Sequence, residues 1–116
     1  MIKTPAEIIA QAQTKINCLD IPAAKALYIA NKEAVIIDVR EAQNANDAKL
    51  NAAINIPRGV LEMQIGKHCP QPNNLILMHC AGGGRATLAA LTLQDMGYTN
   101  VHAITAKFED IKTEFD

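Results

Sequence analysis

A cysteine, three consecutive glycines and an arginine stand together in the segment HCAGGGRAT, residues 79–87. The apolar run that leads into Cys80 predicts a buried strand, and the residues from Arg85 onward predict a helix. The glycines between them allow a tight turn, because glycine tolerates backbone angles that other residues avoid. The N–H groups of such a turn, the helix N-terminus and Arg85 all favour an anion beside the sulfur. We therefore expect Cys80 to act as a thiolate nucleophile that moves a charged group.

The alternative interpretation of this segment is a structural cysteine in front of a glycine-rich turn between a strand and a helix. Free cysteines are common in protein cores. The coincidence of a thiol, three glycines and an arginine at a single strand–helix junction favours the functional interpretation. The same N–H groups are suited to hold an anion attached to the sulfur, such as a persulfide or a thiophosphate-like group.

The elements that must position this loop are predicted from hydrophobic runs and helix-capping residues. Strands are predicted over residues 34–39, 75–79 and 101–104, with weaker ones at 17–19 and 53–57. Helices are predicted over residues 5–16, 23–30 and 85–96, the first of them from the capping box Thr4-Pro5-Ala6-Glu7. The alternation of strands and helices indicates an α/β fold with a parallel sheet covered on both faces. Such sheets bind ligands beyond the carboxyl ends of their strands, where Cys80 is expected to lie.

Composition and charge point to one ordinary globular domain in the 116 residues. Eleven basic residues nearly balance twelve acidic ones, and aromatic residues are scarce, so no surface for nucleic acid is expected. The three cysteines lie far apart in the sequence, which suits neither a disulfide framework nor a metal site. The N-terminal residues contain no long apolar segment. From these features we expect a cytoplasmic protein that binds neither nucleic acid nor membrane.

Several motifs along the chain resemble rhodanese-type sulfurtransferase domains. They are VIIDVRE at residues 35–41, AAINIPRGVLEMQI at 52–65, LILMHCAGGGRA at 75–86 and LQDMGYTNVHAI at 93–104. The resemblance implies a three-layer α/β fold, with a central, mainly parallel five-stranded sheet flanked by helices. We accordingly expect a single rhodanese-like domain over residues 1–116, with an extra N-terminal helix in residues 1–16 and the core in residues 17–116.

The resemblance also implies a sulfurtransferase reaction at the glycine-rich loop. Cys80 is implied to be the catalytic residue that becomes a persulfide after taking sulfur from thiosulfate or a related donor. The outer sulfur of that persulfide is expected to be bound by the backbone amides of Ala81, Gly82, Gly83, Gly84 and Arg85.

The neighbouring strand ends are expected to complete the site. Arg40 and Arg58 are candidates for receiving an anionic donor, although Arg58 is equally compatible with a solvated loop. Asp38 is expected to support the site, more simply as a partner of loop amides or an arginine than as a general acid. No metal or organic cofactor is implied. The implied partners are a small-molecule sulfur donor and a thiol acceptor, with a protein as a further candidate acceptor.

Two other functions are compatible with the sequence. Phosphatases related to this fold resemble Cys-(X)5-Arg, whereas four residues separate Cys80 from Arg85, so phosphatase or arsenate reductase chemistry is disfavoured. The main alternative is a non-catalytic module for binding or redox sensing. It is supported by Ala48-Lys49-Leu50-Asn51-Ala52 and by Ala106-Lys107, where the family commonly has glycines. Non-glycine residues are strained wherever such turns need a positive φ angle.

Three further side chains are chemically able to react, but we interpret each of them as structural. His79 adjoins Cys80, but neighbours on a strand point to opposite faces, so we expect His79 to be packed rather than paired with the thiol. Cys18 and Cys69 are interpreted as buried or incidental thiols, because nothing in the sequence places them near Cys80.

Overall fold

The structure is a computed structural model that describes residues 1–116 and contains five strands and six α-helices. In chain order they are α1 (Pro5–Gln13), β1 (Asn17–Leu19), α2 (Ile21–Ala30), β2 (Val35–Asp38), α3 (Ala42–Asp47), β3 (Ala53–Asn55), α4 (Leu61–His68), β4 (Ile76–His79), α5 (Gly84–Met96), β5 (Val101–Ile104) and α6 (Phe108–Phe115). A short 3-10 turn over Arg58–Val60 precedes α4. None of the helices combines the length and the apolar character needed to cross a membrane.

All five strands run parallel in a single sheet of order β1-β5-β4-β2-β3. The predicted α/β fold with a parallel five-stranded sheet is therefore confirmed. β4 lies at the centre, and its last residue, His79, pairs with Asp38 at the end of β2. Because the strands are parallel, the ends of β2, β4 and β5 meet at the same edge of the sheet. Cys80, which follows β4 directly, lies at that edge.

The element ends differ from the prediction where local hydrogen bonds stop or start a helix or strand. Helix α1 ends at Gln13 rather than at residue 16, because the N–H groups of Thr14 and Lys15 donate to the carbonyls three residues before them, at 3.2 and 2.9 Å, and the α-helical pattern stops. Helix α2 begins at Ile21, since the Asp20 carboxylate caps it by accepting from the N–H of Ala23 at 2.9 Å.

The two faces of the sheet carry separate hydrophobic cores. Side chains alternate along β4, so that Ile76, Met78 and Cys80 face helices α4 and α5, whereas Leu77 faces helices α2 and α6. The larger core includes Ile37, Ile56, Leu61, Ile65, Ala86, Ala89, Ala90 and Leu93. The smaller core includes Ala24, Ile36, Leu50, Ile104, Phe108 and Ile111. The thiol therefore points towards α5, and the preceding histidine points towards α6.

Two glycines outside the loop provide a matched test of the backbone. Gly97 ends α5 with a φ of 112°, a left-handed conformation that costs other residues about 1–2 kcal/mol. Gly66 lies inside α4, and no atom would lie within 4 Å of a Cβ added there. We expect Gly97→Ala to lower the free energy of unfolding and Gly66→Ala to raise it by about 0.5–1 kcal/mol. Urea unfolding measures both, and equal effects of the two substitutions would contradict these backbone assignments.

Candidate active site

The sulfur of Cys80 lies at the N-terminus of α5 and accepts hydrogen bonds from the backbone. The residue is 2% exposed. Its Sγ accepts from the N–H of Gly83 at 3.0 Å and from the N–H of Ala86 at 3.4 Å. Gly83 is the N-cap of α5, and Ala86 is its third residue, whose N–H an N-cap side chain usually binds. Since glycine has no side chain, the sulfur of Cys80 takes that capping position.

The glycine at position 83 is required by conformation as well as by space. Its φ is +105°, which puts it in the left-handed region. A Cβ added there would lie 3.0 Å from the Cα of Thr105, which follows β5. The carbonyl of Ala81 accepts from the N–H of Phe108 at 3.0 Å, so the start of α6 is bonded to the loop. The turn between β5 and α6 therefore holds one side of the loop.

Further N–H groups of the loop have no acceptor in the protein. Those of Ala81, Gly82, Gly84 and Arg85 donate to no backbone or side-chain oxygen. The guanidinium of Arg85 is exposed and forms no ion pair. The loop thus combines a buried sulfur, two N–H groups that bind it, four unpaired N–H groups and a free cation. This arrangement is able to bind an anion, because the donors come from a helix N-terminus and its preceding turn.

Asp38 and Arg40 form a buried ion pair at the end of β2. Asp38 is fully buried and Arg40 is 6% exposed. The Nε and Nη2 atoms of Arg40 donate to the carboxylate at 3.0 and 2.8 Å, and Nη2 also donates to the carbonyl of Ala48 at 2.6 Å. The guanidinium lies 3.8 Å from the centre of the Phe108 ring. Asp38 is thus bound to an arginine, and most donors of Arg40 are already engaged within the protein.

Arg58 is the first residue of the 3-10 turn, and its side chain extends towards α5 and not towards the loop. Its guanidinium pairs with Glu62 at 3.2 Å and donates to the Thr92 hydroxyl at 2.8 Å. Thr92 belongs to the third turn of α5, away from the helix N-terminus that binds the sulfur. The structure therefore brings Cys80 and its glycines together and places Asp38 with Arg40 at the adjacent strand end. It does not bring Arg58 to the sulfur, and the roles of Arg40 and Arg58 towards substrate stay predictions.

His79 is buried on the other face of the sheet, as expected for a residue next to Cys80. Its ring stacks on Phe108 with the ring centres 5.9 Å apart, and its Nδ1 lies 3.3 Å from the carbonyl oxygen of Cys80. Its Nε2 is buried without a hydrogen-bond partner. Burial lowers the pKa of His79, and this effect outweighs the opposing charge of Asp38. His79 is therefore a neutral packing residue at neutral pH.

The two turns that lack the family's glycines contain no strained residue. Every non-glycine residue of the chain has a negative φ. In the first turn, the ammonium of Lys49 donates to the carbonyl of Ala53 at 2.7 Å, and the N–H of Asn51 donates to the carboxylate of Asp116 at 3.0 Å. In the second, Lys107 is the N-cap of α6 with extended backbone angles. Both turns have thus adopted conformations that need no glycine.

The other two cysteines are free thiols outside the loop. Cys18 lies half-buried in β1, and Cys69 is buried at the end of α4. Burial raises the pKa of Cys69. Neither thiol forms a disulfide with Cys80.

The comparison with protein families decides the classification. A model of the rhodanese-like domain matches residues 22–114. The chain belongs to the rhodanese-like domain family. Helix α1 lies outside the matched residues.

Individual relatives of this rhodanese-like chain include sulfurtransferases. It is 32% identical over 65 residues to the thiosulfate sulfurtransferase PspE of Escherichia coli K12. That match covers 56% of this chain and 62% of the relative, so the chain spans less than two thirds of it. The human single-domain sulfurtransferase TSTD1 has the same fold, with a TM-score of 0.69 over 80% of this chain and 92% of that one, at 21% identity.

A third similar structure spans nearly the whole rhodanese-like chain, α1 included. It is a protein of unknown function from Rhodopseudomonas palustris, described as a possible tyrosine phosphatase. The TM-score is 0.80 at 29% identity, and the match covers 97% of this chain and 92% of that one.

The buried Asp38–Arg40 ion pair is expected to affect stability more than the exposed Glu62–Arg58 pair, which serves as the control. Asp38→Asn leaves the buried guanidinium of Arg40 without a counter-charge, so the free energy of unfolding is expected to fall by about 3–5 kcal/mol. Glu62→Gln removes the exposed partner of Arg58 and is expected to cost about 0–1 kcal/mol. Denaturant unfolding at neutral pH compares the two variants. Equal losses would show that the Asp38–Arg40 pair is not desolvated.

The lowered pKa of His79 predicts a dependence of stability on pH. Above the ordinary histidine pKa of about 6.5, His79 is neutral in both the folded and the unfolded chain and contributes no slope. As pH falls below that value, the unfolded chain takes up a proton that the folded chain does not, so the free energy of unfolding falls. His79→Gln removes this contribution and should flatten the decline between neutral pH and pH about 5. An identical decline in the wild type and the variant would contradict the assignment.

Proposed function

We propose that this protein is a sulfurtransferase that carries sulfane sulfur as a persulfide on Cys80. The observation that carries the proposal is the sulfur of Cys80 buried in a turn whose N–H groups point to it, with further N–H groups unpaired around it. Hydrogen bonds from N–H groups are stronger to a charged acceptor than to a neutral one. The loop therefore places hydrogen-bond donors where negative charge on the sulfur would lie, and the thiolate is the nucleophilic form of cysteine.

The first half of the reaction loads the cysteine. The Cys80 thiolate attacks the outer sulfur of thiosulfate, a new S–S bond forms, and the S–S bond of thiosulfate breaks. Sulfite leaves with the electron pair of that bond, and Cys80 becomes a persulfide whose outer sulfur carries the negative charge. The unpaired N–H groups of Ala81, Gly82, Gly84 and Arg85 are the donors available to that outer sulfur.

The second half of the reaction unloads the cysteine. An acceptor thiolate attacks the outer sulfur, the S–S bond to Cys80 breaks, and its electron pair returns to Cys80 as the thiolate. The acceptor is a low-molecular-weight thiol or a protein thiol, and cyanide serves as acceptor in an assay. Because the enzyme alternates between two covalent states, ping-pong kinetics are expected. No step of this sequence uses a metal or organic cofactor.

The three candidate arginines differ in their availability to an anionic donor. Arg40 is held by Asp38 and Ala48, and Arg58 is held by Glu62 and Thr92. Arg85 has no partner and follows the glycines directly. We therefore assign the attraction of an anionic donor first to Arg85 and the loop amides, and we assign to Arg40 the support of the loop edge. A location in the cytoplasm is part of the same proposal, because the persulfide needs reduced thiols as acceptors and the cytoplasm keeps thiols reduced.

A phosphatase is the second candidate, because a structure similar over nearly the whole chain is described as a possible tyrosine phosphatase. Four residues separate Cys80 from Arg85 in this chain. A loop of that length encloses less space than the five-residue loop of related phosphatases, which suits a single sulfur atom better than a tetrahedral phosphate. Hydrolysis of an aryl phosphate by the wild type, lost in Cys80→Ser, would favour this candidate over sulfur transfer.

The proposal predicts a persulfide at one cysteine. After incubation with thiosulfate, the wild type should gain one sulfur atom on the peptide that contains Cys80, as measured by mass spectrometry under non-reducing conditions. Cys80→Ser should lose both the adduct and the transfer of sulfur to cyanide, because a hydroxyl cannot form the S–S bond.

Cys18→Ser is the matched control, since Cys18 is the partly exposed cysteine outside the loop. It should retain the adduct and the activity. A folded wild type that forms no adduct with thiosulfate or with a persulfide donor would point instead to a binding or redox-sensing module.

A further inference from the structure

Helix α1 lies outside the residues matched by the family model and yet packs along α5, the helix whose N-terminus binds the sulfur. It is a well-defined helix. The hydroxyl of Thr4 accepts from the N–H of Glu7 at 3.2 Å, and the carboxylate of Glu7 accepts from the N–H of Thr4 at 3.0 Å. Its last turn is anchored by Ala12, which is 2% exposed. The helix is thus fixed in position against α5.

One side chain of α1 contacts the active-site loop itself. A Cβ added to Gly84 would lie only 2.8 Å from the Cδ1 atom of Ile9, so the Ile9 side chain packs directly on the Cα of Gly84. Gly84 has no positive φ, and alanine is a better helix former than glycine at such a position. A side chain at Gly84 would therefore meet the end of the Ile9 side chain.

The contact lies between the two N–H groups that bind the sulfur. Gly84 follows Gly83, whose N–H donates to Cys80 Sγ at 3.0 Å, and precedes Ala86, whose N–H donates at 3.4 Å. On the other side, Thr105 packs on Gly83. The loop is thus held between α1 and the turn that follows β5.

We propose that Ile9 is a positioning residue of the active site, which acts through Gly84 to keep the N–H groups of the loop directed at the sulfur of Cys80. This inference rests on the proposed function, since it gives α1 a part in the reactivity of the same thiol. Ile9 is partly buried and covers the Cα of Gly84 in the first turn of α5.

The test uses the single atom that makes the contact. Gly84→Ala places a methyl group against Ile9 Cδ1, so either the end of the Ile9 side chain or the start of α5 must move. If Ile9 is the fixed partner, as proposed, the start of α5 moves away from the sulfur. A misplacement of a catalytic group by about 1 Å can cost on the order of a hundredfold, so a smaller displacement is expected to lower kcat/KM for sulfur transfer about tenfold. Ile9→Val removes Cδ1 and should restore most of the loss in the double variant. Ile8→Val is the control, because Ile8 is 42% exposed on the same helix; it should restore nothing.

A second measurement reports on the thiol without any sulfur donor. The rate of alkylation of Cys80, followed peptide by peptide with mass spectrometry across a pH series, measures the thiolate directly. Gly84→Ala should shift this profile to higher pH, and the added Ile9→Val should shift it back. An unchanged profile in Gly84→Ala, or a shift that Ile9→Val does not reverse, would overturn the proposal. If Gly84→Ala does not fold, Ile9→Ala compared with Ile8→Ala decides the same question, because slower alkylation is expected only in Ile9→Ala.

The two measurements separate the failure of this inference from that of the proposed function. If the wild type transfers no sulfur from any donor, the sulfurtransferase proposal fails, whereas the alkylation profiles still decide whether Ile9 positions the loop. If sulfur transfer occurs and substitution of Ile9 changes neither the transfer rate nor the alkylation profile of Cys80, only the positioning role of Ile9 is refuted.

Discussion

The structure at the sheet edge where Cys80 lies depends on the hydrogen bonds from Gly83 and Ala86 to the sulfur of Cys80. A helix that begins with Gly-Gly-Arg-Ala has no side chain able to cap it, and the cysteine that ends the preceding strand supplies the acceptor instead. The same contacts that complete the helix N-terminus also surround the thiol with donors. The same two hydrogen bonds therefore cap the helix and contact the thiol, and a change that moves the start of α5 affects both.

Beneath this edge, a second polar unit fixes the surrounding elements. Asp38 and Arg40 pair at the end of β2, Arg40 lies against the ring of Phe108, and the N–H of Phe108 binds the carbonyl of Ala81 in the loop. The unit links β2, α6 and the loop through a buried ion pair and a buried aromatic ring. A buried ion pair contributes little net stability because its charges must be desolvated, but its geometry is restrictive. We interpret it as a device that orients α6 against the loop.

Much of this arrangement could be predicted from particular residues. The apolar runs at residues 34–39 and 75–79 predicted buried parallel strands, which the structure has at Val35–Asp38 and Ile76–His79, and Cys80 lies at the expected end of its strand. The pairing of Asp38 with an arginine and the packing of His79 also followed from their positions. Helices α3, α4 and α6 were given no bounds, because α3 is short and polar and α4 contains Gly66. Ala86 was missed as a donor, although placing the N-cap at Gly83 identifies the third helical residue as its usual partner.

What the sequence could not show are contacts between residues far apart along the chain. The three glycines of the loop are identical in the sequence but differ in their surroundings. Gly83 has a left-handed backbone and packs on Thr105, and Gly84 contacts Ile9. No atom lies within 4 Å of a Cβ added to Gly82. The need for glycine in the turns at residues 48–52 and 106–107 is equally hidden from the sequence. A turn needs glycine only where its φ angles are positive, whatever residue the family commonly has there. Here Lys49, Lys112 and Asp116 bind the first turn with side chains, so that it is held without a left-handed residue. A glycine in a motif is thus informative only once its neighbours in space are known.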